Sequence, residues 1–263
     1  MGSATTQALT ATRAALDAAS AIDLGVAREL FAAARVVGDS PQLSGALADP
    51  SASAESRARV VADVFGGSMT NTTVSLLTSA VELRWSAASD LVDGIEELAV
   101  RAAAVAAPSS DLEGELFAVS QTVAANPQLE LALGSRLGES SAKGALIEKI
   151  LGARASEATT LIVSSLVRQP RERRVRQLLS SAMRIVSDQR GKTVATVITA
   201  TPLNAEQAQR LAGALAKKYG RDVSLNAVLD PTVVGGLRVQ IADDVIDGSI
   251  SGRLAELRQR LAG

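Results

Sequence analysis

Two stretches of this chain carry the same landmarks at a fixed spacing. Leu30-Phe31 followed by Pro41-Gln42-Leu43 returns as Leu116-Phe117 followed by Pro127-Gln128-Leu129, 86 residues later in each case. Leu47 answers to Leu133 and Arg57 to Lys143. Val60, Val61, Val64, Phe65 and Gly66 answer to Leu146, Ile147, Ile150, Leu151 and Gly152 at the same offset. Further on the offset becomes 87, pairing Leu91 with Leu178 and Leu98 with Ile185. A period of this size marks the internal duplication of one small folding unit. It also places the first helix, about 5–19, onto residues 91–105. That stretch already ends the first copy, so one helix is expected to close copy one and open copy two.

The repeated unit reads as helical. Val26, Leu30, Phe31, Ala34 and Val37 form an apolar stripe between Leu24 and Val37, stopped by Gly38-Asp39-Ser40-Pro41. Further helices are expected over 54–65 and 71–83, with a long one over 87–106 broken by Pro108-Ser109-Ser110. Aromatic residues are 2% and hydrophobic residues 47% of the chain, so the cores must be built from Ala, Leu, Val and Ile. Small side chains of high helix propensity favour closely packed helices.

After Gly191 the pattern changes. The β-branched run Thr193-Val194-Ala195-Thr196-Val197-Ile198 reads as a strand. A helix to Tyr219 follows, opened by Asn204 with Gln207 three residues on, a capping-box spacing, and closed by Gly220. Strands are expected over 223–229 and 234–241, the latter containing Gly235-Gly236. A short strand at Val245-Ile246 and a last helix with Ile250, Leu254, Leu257 and Leu261 on one face complete the chain. The expected fold is mainly α with a small α+β C-terminal domain: tandem helical-bundle units, then a short β-sheet packed with helices. The bounds are 1–105 for copy one, 91–190 for copy two and 192–263 for the α/β domain.

The sequence contains no His and no Cys. That excludes a Ser-His-Asp triad, Cys-His chemistry, His- or Cys-ligated zinc, iron–sulfur clusters and disulfides. No phosphate-binding glycine motif occurs. The basic run Arg168 to Arg176 lacks interleaved aromatics and reads as the charged start of a helix rather than a nucleic-acid grip. Asp243, Asp244 and Asp247 lack calcium-loop spacing and read as turn residues. Gly235-Gly236 reads as a bulge or a place where another backbone approaches closely. Trp85 is expected to anchor a loop or core, and Tyr219 to pack at a helix end. No catalytic, cofactor-binding or metal residue is expected, and no enzyme activity. The start, Met1-Gly2-Ser3-Ala4-Thr5-Thr6, lacks the basic end of a signal peptide and reads as unmodified. No apolar run is long enough to span a membrane, so the chain is expected to be soluble and cytoplasmic. Charge is graded, from −5 over 1–105 to +3 over 106–192 and +1 over 193–263, which suits contact with different partners. What remains is a set of amphipathic helices, the usual means of docking other helices.

The C-terminal residues are familiar. Asp230-Pro231-Thr232-Val233-Val234-Gly235-Gly236-Leu237-Arg238-Val239, then Asp244-Val245-Ile246-Asp247-Gly248-Ser249-Ile250 and Gly252-Arg253-Leu254, resemble the F-type ATP synthase delta subunit. The mitochondrial counterpart is the oligomycin-sensitivity-conferring protein. Pro202-Leu203-Asn204-Ala205-Glu206-Gln207 is similar too, and 91–190 resembles the family's helical domain. The added front copy looks like a long actinobacterial form. The resemblance implies a stator adaptor joining the N-terminal helices of the alpha subunits to the b subunit of the peripheral stalk. It would resist rotor torque during proton-driven ATP synthesis, at the cytoplasmic face of the bacterial plasma membrane, held there only through the complex. The family's helix-docking groove maps by position onto Leu9, Thr12 and Leu16 with Val74, Leu77 and Val81 in copy one. In copy two it maps onto Ile95, Leu98 and Ala102 with Leu161, Val163 and Val167. Leu254, Leu257 and Leu261 are candidates for the b subunit or for packing on their own sheet. Asp230, Gly235, Gly236, Asp247, Gly248 and Ser249 are the structural motif. The alternative is a helical interaction scaffold of another complex.

Overall fold

The computed structural model describes residues 2–250 except 136–138, 153, 172, 234 and 242–243. The chain divides into two compact units, Met1–Val186 and Ser187–Gly263. The first carries helices α1 (Ser3–Ala18), α2 (Leu24–Asp39), α3 (Pro41–Ala48), α4 (Ala54–Phe65), α5 (Asn71–Glu82) and α6 (Ala88–Ala106). Then come α7 (Leu112–Ala125), α8 (Pro127–Gly134), α9 (Ser140–Leu151), α10 (Glu157–Arg168) and α11 (Val175–Gln189), the last of which runs on past the unit's boundary. Helices α3, α4 and α5 recur as α8, α9 and α10 with both ends displaced by 86 residues. Local chemistry explains the agreement. Pro41 and Pro127 each open a short helix at a position where the missing N–H costs nothing. Thr70 and Ser156 each cap the next-but-one helix by accepting from Thr73 N and Thr159 N. Sequence periodicity alone misses α3 and α8, because eight residues bury only a narrow face: Ser44 and Leu47 in one, Leu133 in the other.

One hydrophobic cluster runs from Ala8 on α1 to Val186 on α11. Its centre is α6, which touches α1, α2, α3, α5 and α10. Every residue from Leu98 to Ala104 is buried. A helix can be covered on all sides at close range only if most of its side chains are small, and Ala99, Ala102, Ala103 and Ala104 supply that. Arg101 is buried among them and donates to Glu97 Oε1 at 2.9 and 2.7 Å, a pairing that offsets the cost of burying its charge.

The second unit holds β1 (Lys192–Thr199), α12 (Ala205–Tyr219), β2 (Asp222–Leu229), β3 (Leu237–Ile241) and β4 (Asp244–Asp247). The sheet order is β2-β1-β3-β4, with β1 and β2 parallel and the other pairs antiparallel. A parallel pair needs a crossover, and α12 provides it. Asn204 and Gln207 form the full capping box, and Gly220 closes α12 in the left-handed conformation. Ala195, Val197, Val239 and Ile241 alternate inward and pack with Leu215 of α12. One strand differs from expectation: β3 begins at Leu237, not at 234. Gly235 and Gly236 have φ of +63° and +81° and so cannot continue a strand. The expected last helix, with Leu254, Leu257 and Leu261, lies outside the described residues, as does Asp243.

Candidate docking surfaces

In copy one, α1 turns Thr5, Ala8, Thr12 and Leu16 into the core, a clean i, i+3, i+4 face. Thr12 can be buried because its Oγ1 donates to Leu9 O at 3.0 Å within the helix. On the neighbouring α5, Leu77 and Val81 are buried. Leu9 and Val74 are half-buried and Ser75 is exposed. The six positions therefore divide into an inner floor (Thr12, Leu16, Leu77 and Val81) and two residues that reach the surface. Helices α1 and α5 pack on each other.

The equivalent positions of copy two are arranged differently. Ile95, Leu98, Ala102, Leu161, Val163 and Val167 are all buried. From Ala158 to Val167 only Thr160 retains partial exposure. Helix α2 of copy one lies against α6 and reaches α10. Arg28 Nη2 meets Glu157 Oε1 at 3.1 Å at one end, and Gln169 Nε2 donates to Asp39 Oδ1 at 2.5 Å at the other. The two helices thus run in the same direction. Leu161 is 8% exposed, whereas Ser75, its counterpart 86 residues earlier, is exposed.

A polar clasp recurs in both copies, and the sequence reading did not find it. Glu29 Oε2 accepts from Thr70 N at 2.9 Å, Thr70 Oγ1 at 2.8 Å and Thr73 Oγ1 at 2.5 Å. Glu115 Oε2 accepts from Ser156 N at 3.0 Å, Ser156 Oγ at 2.6 Å and Thr159 Oγ1 at 2.5 Å. The spacing is again 86 throughout, which is the signal that could have revealed it. Burial pulls the Glu29 pKa up, but the bonds from Thr73 and Thr70 outweigh it and the net shift is downward.

The basic run after α10 is largely tied into the protein. Arg173 grips Glu96 with two bonds of 2.7 and 2.9 Å, and Arg171 Nη2 adds a third at 2.7 Å. Bidentate, charge-assisted pairs of this kind are the strong ones. Arg171 also stands 2.9 Å from Asp93. Burial raises the Asp93 pKa, against the pull of Arg171 and Arg173. Arg168 pairs with Glu148 at 2.8 Å and Arg176 with Glu130 at 3.0 Å.

In the second unit the familiar motif is a backbone device. Asp230 Oδ1 accepts from Thr232 N and Oγ1, and Asp247 Oδ1 accepts from Ser249 N at 2.9 Å. Gly248 N donates to Leu237 O at 2.9 Å and Ile250 N to Gly235 O at 3.1 Å. A Cβ on Gly236 would stand 2.4 Å from Gly248 O, so the two backbone segments of this turn can approach this closely only with glycine at 236. Ser249 bonding, through its hydroxyl first and then its N–H, lowers the Asp247 pKa.

Among the described residues no His/Cys/Asp/Glu group could hold a metal ion. No described helix is long and apolar enough to cross a membrane. The molecule is a tandem helical-repeat protein with an α/β unit at its C-terminal end. The ATP synthase delta (OSCP) subunit family matches residues 96–261. ATP synthase subunit delta of Leifsonia xyli is 49% identical over 100% of both chains. That of Streptomyces griseus is 39% identical, again over 100% of both. A chain of the Toxoplasma gondii mitochondrial ATP synthase hexamer aligns over 64% of this chain and 97% of that one, at 18% identity and a TM-score of 0.37. The chain belongs to the ATP synthase delta (OSCP) subunit family. It is a non-catalytic subunit of the ATP synthase, a stator adaptor of the peripheral stalk.

Proposed function

We propose that copy one holds an N-terminal helix of an alpha subunit across α1 and α5, while the α/β unit meets the b subunit of the stalk. The observation that carries this reading is the difference between α5 and α10. The two-helix face open on α1 and α5 is covered by α2 on α6 and α10. Leu9 and Val74 would make apolar contact at the surface, with Thr12, Leu16, Leu77 and Val81 holding the helices in place beneath. Ile95, Leu98, Ala102, Leu161, Val163 and Val167 would then serve to join the copies. Leu254, Leu257 and Leu261 keep their place as the b-subunit surface proposed from the sequence. Such an adaptor needs affinity, slow release and stiffness. It would work at the cytoplasmic face of the plasma membrane, held there by its partners.

The test is binding of a labelled peptide of the alpha N-terminal residues to the full chain. Ser75→Arg should weaken binding by about 10-fold or more, as expected when a charge enters the centre of a helix-docking face, with no change in melting temperature. Binding that is unaffected by Ser75→Arg and by Val74→Asp would refute the assignment to this groove.

A further inference from the structure

The duplicated unit has one corner that the two copies treat in opposite ways. In copy one the corner between α3, α4 and the turn into α6 is filled. Arg57 is buried and donates to Val81 O, Glu82 O, Asp49 O and Ala52 O at 2.6 to 3.0 Å. Trp85 is buried with its Nε1–H on Ala80 O at 2.8 Å. Its ring lies so close to Gly94 that a Cβ there would sit 2.2 Å away. In copy two the residue 86 positions after Arg57 is Lys143, whose ammonium bonds Ser135 O, and the residue 86 after Trp85 is Arg171. At this corner of copy two, beside Lys143 and Arg171, lies a cleft of about 1370 Å³.

The described lining of this cleft is mainly basic, although Arg171 and Arg173 are paired with Glu96 and Asp93, Arg168 with Glu148 and Arg176 with Glu130, so that the exposed Arg174 carries the charge at the rim. Lys143, Arg168, Arg171, Arg173, Arg174 and Arg176 face it, against Asp39 and Glu130. The Nε–H groups of Arg168 and Arg171 find no acceptor among the described residues. Arg174 is exposed at the rim, and Arg174 and Arg176 also line a second trough of about 470 Å³ that runs along α11 to Arg184. From 174 to 184 a helix rises about 15 Å. At the mouth of the cleft stands Leu131, 73% exposed, the most exposed large apolar side chain of the described residues. Its counterpart in copy one is Gly45. An apolar anchor beside the exposed guanidinium groups of Arg174, Arg176 and Arg184 is the complement of a helix with carboxylates on one side and an apolar residue among them.

We propose that the cleft between α8 and the α10–α11 connection, continued along α11, receives an acidic amphipathic helix of a partner subunit in the assembled enzyme. This surface is separate from the α1–α5 groove and does not depend on it. A polyanionic nucleic acid is disfavoured, because no aromatic side chain lines either trough for stacking and the chain as a whole carries −1. The gradient of charge along the chain gives the same direction, since the excess of basic residues lies in copy two.

The experiment uses the purified, assembled ATP synthase carrying Leu131→p-benzoylphenylalanine in this subunit, irradiated and mapped by mass spectrometry. The expected product is a cross-link to a helical protein segment rich in Asp and Glu. A cross-link to lipid, nucleic acid or a segment without acidic residues overturns the proposal, as does the absence of any cross-link in an enzyme shown to contain the subunit. Arg174→Glu with Arg184→Glu in the same background should lower the cross-link yield about 10-fold, because reversed charges repel the partner. Unfolding of the isolated full chain by heat should be unaffected by that pair. Arg84→Glu, an exposed residue of the closed corner in copy one, should leave the yield unchanged. A yield that survives the double reversal, or falls equally with Arg84→Glu, overturns it.

Discussion

Helices α5 and α10 hold the same place in their copies, begin and end 86 residues apart, and are capped by equivalent residues, yet their outer faces have different fates. The face of α5 is open along Val74, Ser75, Thr78 and Ser79. The same face of α10 is sealed under α2. The corners beyond these helices differ in the opposite sense, with copy one plugged by Arg57 and Trp85 and copy two open. A duplication thus supplied two similar scaffolds, and packing one on the other used up a different surface of each. The lesson is that in tandem repeats the informative positions are those where equivalent residues have different exposure, not those where they agree.

The sharpest way to break this comparison is to put one charge at both equivalent sites. Leu161→Arg should destabilise the chain by about 4 kcal/mol or more, because a buried position cannot hydrate an unpaired guanidinium. Ser75→Arg should change stability by less than about 0.5 kcal/mol. Equal effects in urea titrations would show that the two faces are alike. Next in size, Trp85→Ala should cost about 3–5 kcal/mol through the cavity it leaves over Gly94. Arg171→Ala, at the equivalent position, should cost about 1 kcal/mol, since Arg171 bonds Glu96 at a partly exposed site and fills no core. A reversed order would mean that the copy-two corner is not open.

The shared clasp should behave as a true repeat. Glu29→Ala and Glu115→Ala each strip the acceptor from three donors, so each should cost about 1–3 kcal/mol, and by similar amounts. A difference larger than that range would separate the copies where the structure joins them. A finer test uses pH. The folded pKa of Glu29 lies below its ordinary value. Its contribution is therefore complete above the unfolded value, about 4.3, and is lost as pH falls through the folded pKa. The difference in melting temperature between Glu29→Gln and the parent chain should shrink as pH drops below that point. A difference that grows on acidification would contradict the direction of the shift. Among the variants that remove a contact, the smallest effect should be that of Arg28→Ala. Its pair with Glu157 is exposed at both ends, so the loss should be under about 1 kcal/mol even though it spans the two copies.

Most of the local structure could be read from residues alone. The caps at Asn204 and Gln207, the stop at Gly220 and the stripe of α2 follow from short-range chemistry. The short helices α3 and α8 were not legible, since eight residues give too little period. The strand expected over 234–241 starts only at Leu237, because Gly235 and Gly236 take positive φ and Gly236 closes on the backbone of Gly248, a contact that residue order alone does not show. Of the candidate site, residue types and positions on each helix were legible. Which of them face a partner was not. Thr12 and Leu98 are equivalent by offset and both buried, but Thr12 lies on a helix with a free side and Leu98 in a stretch, Leu98 to Ala104, where every residue is buried.

The sequence by itself determined the duplication, the helical character of each copy, the change to an α/β unit after Gly191 and the absence of His and Cys chemistry. These depend on spacing, propensity and composition, which are properties of the residues in order. Only the tertiary structure decided that α10 is covered and α5 is not, and that one corner is filled while its twin is an arginine-lined cleft. Exposure belongs to a residue's neighbours in space, and two stretches of nearly the same pattern acquire different neighbours as soon as one packs upon the other.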